Sequence, residues 1–75
     1  MQLYIIYIIY IDKDFTQCDA SGVSFKNSVL KGSRFYRAKL FDTDFTNADL
    51  SSVSLEDTGL TGAIFKDSIL EVSIY

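Results

Sequence analysis

The chain has 75 residues, of which 48% are hydrophobic and 23% are charged, and it lacks Pro, Trp and His. This composition is too apolar for intrinsic disorder and leaves room for one small domain. The formal net charge of −3 disfavours direct nucleic-acid binding, because proteins that bind phosphate backbones usually carry a basic face. A single cysteine, Cys18, excludes an internal disulfide and favours a reducing compartment, either the cytoplasm or an organelle interior. Without histidine, we expect neither a metal site nor a cofactor.

The chain begins with an apolar segment in which residues 3–11 are all aliphatic or aromatic. This segment is far shorter than the ~20 residues that span a bilayer, and it lacks the basic start and the cleavage site of a secretory signal. Its β-branched and aromatic content predicts a β-strand. Residues 1–12 therefore either cap the structure that follows or form an interaction strand, since exposed strands pair readily with other chains. The candidate contact residues are Tyr4, Ile6, Tyr7 and Ile9.

A strict period of five residues begins at residue 13. Large apolar residues recur at every fifth position, and eleven of these thirteen centres are Phe or Leu: Phe15, Ala20, Phe25, Leu30, Phe35, Leu40, Phe45, Leu50, Leu55, Leu60, Phe65, Leu70 and Tyr75. The residue two places before each centre is usually small, and in an extended segment two such side chains point the same way. We expect both to point inward. Turn-forming residues such as Gly22, Asn27 and Gly62 follow the centres, so each unit predicts one side and one corner.

The segment Ala48-Asp49-Leu50-Ser51-Ser52 resembles the unit of the pentapeptide-repeat family, which is a small residue, Asp or Asn, Leu or Phe, and two variable residues. The units at residues 43–47 and 18–22 keep the small residue and the Asp, although Ala20 is an undersized centre. This resemblance implies an all-β fold, a right-handed quadrilateral β-helix with twenty residues in each coil. Residues 13–75 would then form a solenoid of about three coils, with the apolar segment as an N-terminal capping strand.

Bases and aromatic residues are concentrated at outward positions in the middle of the predicted solenoid. They are Arg34, Tyr36, Arg37, Lys39 and Phe41. Arg and Tyr are frequent anchors of protein interfaces, whereas a plain solvated face would also carry such charges. The sequence leaves a protein contact and a solvated surface as alternatives.

Apolar residues also occupy outward positions near the end of the sequence: Ile64, Ile69, Val72, Ile74 and the last residue, Tyr75. They either cover the last coil or form a contact with a second copy or another protein, because clustered exposed apolar surface commonly marks binding sites. Tyr75 falls on a centre and completes no unit, so a fragment of a longer repeat protein is a further hypothesis.

No constellation in the sequence predicts catalysis. Ser28, Ser33 and Ser68 occupy small inward positions and are interpreted as packing residues, and no base accompanies them. Asp14, Asp19, Asp44 and Asp49 precede centres, so the repeat itself explains them. We therefore expect a protein without enzymatic activity.

The sequence favours a protein-binding or scaffold module, such as a small subunit of a larger assembly. It would contact a protein partner, or itself, through its apolar ends and flat faces. The alternative comes from the resemblance, because some pentapeptide-repeat proteins mimic duplex DNA and bind the topoisomerase gyrase, protecting it from quinolones. This chain departs from that group, since it is short and bases such as Lys31, Arg34 and Lys39 interrupt its acidic surface.

Overall fold

The computed structural model describes residues 8–73. Two short strands, β1 (Val53–Ser54) and β2 (Val72–Ser73), form a parallel pair. The other parallel pairings are single bridges, because each straight segment is only about three residues long. Every bridge joins residues twenty positions apart: Ile9 with Val29, Asp14 with Arg34, Asp19 with Lys39, Ser24 with Asp44, Val29 with Asp49, Arg34 with Ser54, Lys39 with Gly59, Asp44 with Ile64 and Asp49 with Ile69.

The period of twenty residues stacks four sides into columns along the solenoid. Asp44 illustrates the ladder, because its N–H donates to the Val23 carbonyl at 3.1 Å while the N–H of Phe45 donates to the Ile64 carbonyl at 2.7 Å. Backbone segments of the inner coils thus bond both to the coil before and to the coil after. The four sides are side 1 (8–10, 28–30, 48–50 and 68–70), side 2 (13–15, 33–35 and 53–55), side 3 (18–20, 38–40 and 58–60) and side 4 (23–25, 43–45 and 63–65).

The chain turns through a tight corner after each centre from Tyr10 to Phe65. The second corner residue always has a positive φ. The N–H of Ala48, for example, donates across its corner to the Phe45 carbonyl at 3.0 Å, as in a β-turn. The positive-φ residues are Asp12, Gln17, Gly22, Asn27, Gly32, Arg37, Asp42, Asn47, Ser52, Asp57, Gly62 and Asp67. Most are Gly, Asn or Asp, the residues that adopt this conformation at least cost. The predicted corners are confirmed over this range.

The corner expected after Leu70 does not form. Val72 would have to take the positive φ there, and a β-branched side chain clashes with the backbone in that conformation. The chain instead stays extended, and Val72 pairs with Val53, nineteen rather than twenty residues away. The expectation of a corner at every unit is therefore wrong for this one. The count of about three coils over 13–75 stays a prediction, because part of that range lies outside the described residues.

The core is a set of columns of inward side chains. Phe35, Leu40, Phe45 and Leu50 are completely buried, and small residues such as Ala48 fill the spaces between the centres. The rings of Phe45 and Phe25 stack at 5.4 Å between centroids, and those of Phe45 and Phe65 at 5.2 Å. This burial confirms the predicted inward positions in the middle of the described range. It decreases toward both ends of the described range, where Phe15 and Phe65 are only partly buried.

Hydroxyl groups at the small inward positions bond to the backbone of the preceding coil. The Thr43 Oγ1 donates to the carbonyl of Ala20 at 2.8 Å, and the hydroxyls of Ser33 and Thr58 bond in the same way to residues twenty-three positions earlier. The interpretation of Ser33 as a packing residue is incomplete, since its hydroxyl also satisfies a carbonyl. Among the described residues, every buried polar side-chain atom has a hydrogen-bond partner, as native cores require.

The apolar segment joins the first coil without interruption in its described part. Ile9 bridges to Val29, and the N–H of Tyr10 donates to the Val29 carbonyl at 2.7 Å. Tyr10 takes the centre position on side 1, opposite the undersized Ala20 on side 3, and its ring meets Phe25 edge to face at 6.0 Å. A separate role for residues 1–12 stays a prediction, although residues 8–12 already have the hydrogen bonds and the corner of a coil.

Candidate interaction surfaces

The predicted contact residues at the two chain ends are only partly described. Tyr4, Ile6, Tyr7, Ile74 and Tyr75 lie outside the described residues. The backbone of Val72 forms strand β2, and its side chain also lies outside the description. These interface predictions therefore remain predictions.

The predicted basic and aromatic patch wraps around one edge of the solenoid instead of forming a flat surface. Arg34 lies on side 2 and Lys39 on side 3, with Tyr36 and Arg37 on the corner between them. The Arg37 guanidinium lies over the Tyr36 ring, 5.3 Å from its centroid, a cation–π contact that holds both side chains against the corner. Arg34 also pairs with Asp14 at 3.7 Å, in an exposed ion pair that contributes little to stability.

Phe41 completes this patch at the corner after side 3. Its ring covers Gly59 of the next coil, where the Cβ of any larger residue would lie only 2.6 Å from the Phe41 Cζ. A side chain at position 59 would therefore displace the ring. Phe41 still exposes 40% of its surface, so the glycine lets an aromatic ring lie flat on the solenoid and remain accessible.

Exposed apolar side chains concentrate at the two ends of the described range. The predicted residues Ile9, Ile64 and Ile69 are all exposed, with Ile9 the most accessible at 61%. Ile8 and Ile11, in the predicted apolar segment, are exposed as well. Val23 and Leu70 were expected to point into the core, and that expectation is wrong for their burial, because both lie near an end of the described range and remain exposed. The signal for Val23 and Leu70 was their place near the two ends of the repeat, where an inward side chain has a neighbouring coil on only one side among the described residues.

Four aspartates on the outer surface stabilise the corners that follow them in the sequence. The side chains of Asp14, Asp19, Asp44 and Asp49 each accept a hydrogen bond from the backbone N–H two residues later. For Asp44, the Thr46 hydroxyl and then the Thr46 N–H lower the pKa of the carboxyl group, and the pKa of Asp49 is lowered in the same way by Ser51. These Asp residues are thus structural, as the repeat predicted.

The four lowered pKa values predict acid sensitivity. A carboxyl group whose pKa is lower in the folded state stabilises the fold above its unfolded pKa of about 3.9, and this stabilisation is lost as pH falls through the folded pKa. The urea midpoint should therefore decrease below about pH 4. NMR titration should show the pKa of Asp44 rising toward its ordinary value in Thr46→Val. Thr61→Val is the matched control. Thr61 stands two residues after Gly59, which has no carboxylate to accept a hydrogen bond, so this change should leave the pKa of Asp44 unaltered. An unchanged Asp44 titration in Thr46→Val would contradict this role.

The described residues offer little machinery for chemistry. Within residues 8–73 there is no pocket and no cluster of three or more His, Cys, Asp or Glu residues that could hold a metal ion. Burial raises the pKa of the Cys18 thiol, and neighbouring Asp19 raises it further, which makes the thiol a weak nucleophile at neutral pH. Over the same residues, no helix is long and apolar enough to cross a membrane.

Comparison with solved structures identifies the fold. A pentapeptide repeat protein, Rfr23, from the cyanobacterium Cyanothece 51142 superposes with a TM-score of 0.85 at 17% identity, covering 89% of this chain and 47% of its own. A pentapeptide repeat protein of the Arabidopsis thaliana thylakoid lumen matches with a TM-score of 0.44 at 25% identity over 92% of this chain and 55% of its own. HetL from Nostoc sp. strain PCC 7120, which is involved in heterocyst differentiation regulation, gives 0.36 and 24% over 85% and 38% of the two chains.

The chain thus spans about half the length of these structures or less. The likeness to Rfr23 supports the right-handed β-helix that the sequence predicted. No curated protein sequence matches the chain significantly. The pattern of the pentapeptide repeats matches in eight copies over residues 14–47 and 42–67. Because this match covers more than half of the residues, the chain belongs to the pentapeptide-repeat protein family.

Proposed function

We propose that this chain is a protein-binding or scaffold module without enzymatic activity, which contacts its partners through apolar surface at the ends of the solenoid and through its flat sides. The observation that carries the proposal is the concentration of exposed isoleucines at both ends of the described range, including Ile9 and Ile64. Single exposed apolar residues are normal, whereas grouped ones usually mark a contact surface.

The geometry of the sides supports the same role. Stacked coils present flat, rigid faces, so outward side chains are held in fixed positions without a cost in loop ordering. The stacked Tyr36–Arg37 pair and the flat Phe41 ring are the kinds of side chains that anchor protein interfaces. A small subunit of a larger assembly would use surfaces of this kind.

The DNA-mimic alternative has weaker support. A mimic of duplex DNA needs a continuous acidic surface, whereas residues 28–47 carry four bases, Lys31, Arg34, Arg37 and Lys39, against two acids, Asp42 and Asp44. This coil is therefore net positive in the middle of the rod. A gyrase supercoiling assay separates the two proposals, because a mimic inhibits the enzyme at micromolar concentrations and a general binding module does not.

The test of the binding function is affinity purification of the tagged chain from its natural source, followed by native mass measurement. We expect a complex heavier than one chain, and we expect Ile64→Asp to release the partner. Ser24→Asp is the matched control, because Ser24 occupies the same outward column on side 4, two coils earlier, and is exposed. Recovery of the bare monomer, or equal complexes with both variants, would contradict the proposed use of this end.

A further inference from the structure

Lys13 is the one charged residue at an inward position among the described residues. It stands on side 2, in the column of small positions that continues with Ser33 and Val53. Those two side chains are completely buried, whereas Lys13 is exposed. The other described residues at small inward positions are all uncharged: Ile8, Cys18, Val23, Ser28, Ser33, Ala38, Thr43, Ala48, Val53, Thr58, Ala63 and Ser68.

The first coil, residues 8–27, presents apolar side chains at its open end. Among the described residues no coil lies before it, so Ile8 and Val23 expose 46% and 41% of their surfaces. Their counterparts one coil later, Ser28 and Thr43, are buried. This end therefore offers the kind of apolar surface on which a further coil would stack.

The backbone of the first coil also has free edge groups on sides 2 and 3. In the second coil, the N–H of Arg34 donates to the Lys13 carbonyl at 2.9 Å, which joins the coil to the one before it. The equivalent N–H groups of Asp14 and Asp19 have no acceptor within residues 8–73. Unpaired groups of this kind are a template for pairing with another strand.

Lys13 makes this end unfavourable for such pairing. A further coil would place its own small inward residue over Lys13, at the ~4.8 Å spacing of the column, and would enclose the ammonium group. No carboxylate stands at a described inward position to pair with it. An unpaired ammonium in a closed core destabilises the fold strongly, and inward-pointing charges are one of the means by which proteins protect sheet edges.

We propose that Lys13 is an end stop, whose charge closes the N-terminal face of the solenoid to a further coil. The excluded coil can belong to a second copy of this chain or to another repeat protein. This inference goes beyond the proposed binding function, and either can fail without the other. It restricts that function in one respect, because a partner can contact the exposed Ile9 from outside but cannot extend the stack.

An added coil tests the end stop directly. Residues 28–47 form one complete coil, so a second copy of this sequence inserted between residues 7 and 8 keeps the register of twenty. The added equivalent of Ser33 then covers Lys13. In this lengthened chain, Lys13→Ser should lower the equilibrium constant of unfolding at least about hundredfold, because it removes a buried charge.

The same substitution should have little effect in the natural chain. There the Lys13 side chain is exposed and forms no hydrogen bond or ion pair within the described residues, so Lys13→Ser should change the constant less than about threefold. Lys26→Ser is the matched control, because Lys26 is an exposed base of the same coil at an outward corner. It should change the constant less than about threefold in both chains.

Lys13→Met separates the charge from the size of the side chain, since methionine is long but uncharged. In the lengthened chain it should lower the unfolding constant at least about tenfold, less than Lys13→Ser because the position is small. Urea unfolding monitored by circular dichroism measures all the variants. A lengthened chain that folds only when it carries Lys13→Ser or Lys13→Met would be the extreme form of the expected result.

Three results would overturn the inference. The first is an equal effect of Lys13→Ser in the natural and lengthened chains, and the second is a lengthened chain that fails to fold even with Lys13→Ser. The third is a Lys13→Met variant of the lengthened chain no more stable than its parent, which would assign the stop to size instead of charge.

Discussion

Leu50→Lys should abolish folding. Leu50 is completely buried at a centre of side 1, and the backbone around it bonds to the coils before and after. Replacing a buried leucine by alanine already costs about 2–5 kcal/mol, and an unpaired buried ammonium adds several more. A domain of this size has only on the order of 4–11 kcal/mol of total stability. Circular dichroism should therefore show no cooperative thermal or urea transition.

The control for Leu50→Lys introduces the same charge at an exposed position. Thr61 occupies an exposed corner, and its side chain makes no hydrogen bond within the described residues, so Thr61→Lys should change stability by less than about 0.5 kcal/mol. Ser51→Lys is a less clean control than the sequence suggests, because the Ser51 hydroxyl donates to Asp49 at 2.6 Å. Equal damage by Leu50→Lys and Thr61→Lys would contradict the inward and outward assignment.

Phe45→Ala should lower the free energy of unfolding by about 3–5 kcal/mol. The ring is completely buried and stacks between Phe25 and Phe65, so its removal leaves a cavity and breaks three aromatic contacts, the third being edge to face with Phe35. Phe65→Ala should cost clearly less, because Phe65 is only partly buried and has a stacking partner on one side among the described residues. Urea unfolding monitored by circular dichroism measures both.

Phe45→Leu gives the matched control for this cavity. Leucine is a common centre residue in the other units, so this change keeps much of the volume and should cost less than about 1.5 kcal/mol. A Phe45→Leu variant as unstable as Phe45→Ala would show that stacking, rather than filled volume, stabilises this column. Equal costs for Phe45→Ala and Phe65→Ala would contradict the decrease in burial toward the end of the rod.

The inward pattern could be predicted from the sequence because it depends on local geometry alone. A small residue and a large one separated by one position must share a side of an extended segment, so the burial of Leu50 and Ser28 followed directly. The corners followed for the same reason, from residues that tolerate positive φ. The exposure of Ile64 and Ile69 was also predictable, since the same alternation places them outside.

The features of the core that local geometry could not predict depend on residues that are distant in the sequence. Ala20 looked like a defect in the repeat, yet Tyr10 stands at the opposite centre of the same coil and brings the larger side chain. Thr43 looked like a small filler, although its hydroxyl bonds to a carbonyl twenty-three residues away. Val72 shows the opposite case, because its β-branched side chain already argued against a corner that the period alone implied.

The sequence identified which residues lie on the candidate surfaces, but it did not show how the solenoid arranges them on its sides. Arg34, Tyr36, Arg37 and Lys39 were expected to form one patch, and the corner at Tyr36 divides them between two sides. The apolar character of side 1 was hidden, because its members are twenty residues apart and lie among polar neighbours in the sequence. Only the stacking of coils brings Ile9, Val29 and Ile69 onto one face.

The register of twenty residues therefore determines which side chains stack in the core and which outward residues share a side of the solenoid. Solution NMR tests it most directly through close contacts between backbone protons. The account predicts that Asp49 shows contacts with both Val29 and Ile69, and that Lys39 shows them with both Asp19 and Gly59. Contacts at another separation, or contacts restricted to residues three and four apart as in a helix, would contradict the stacked solenoid and the surfaces built on it.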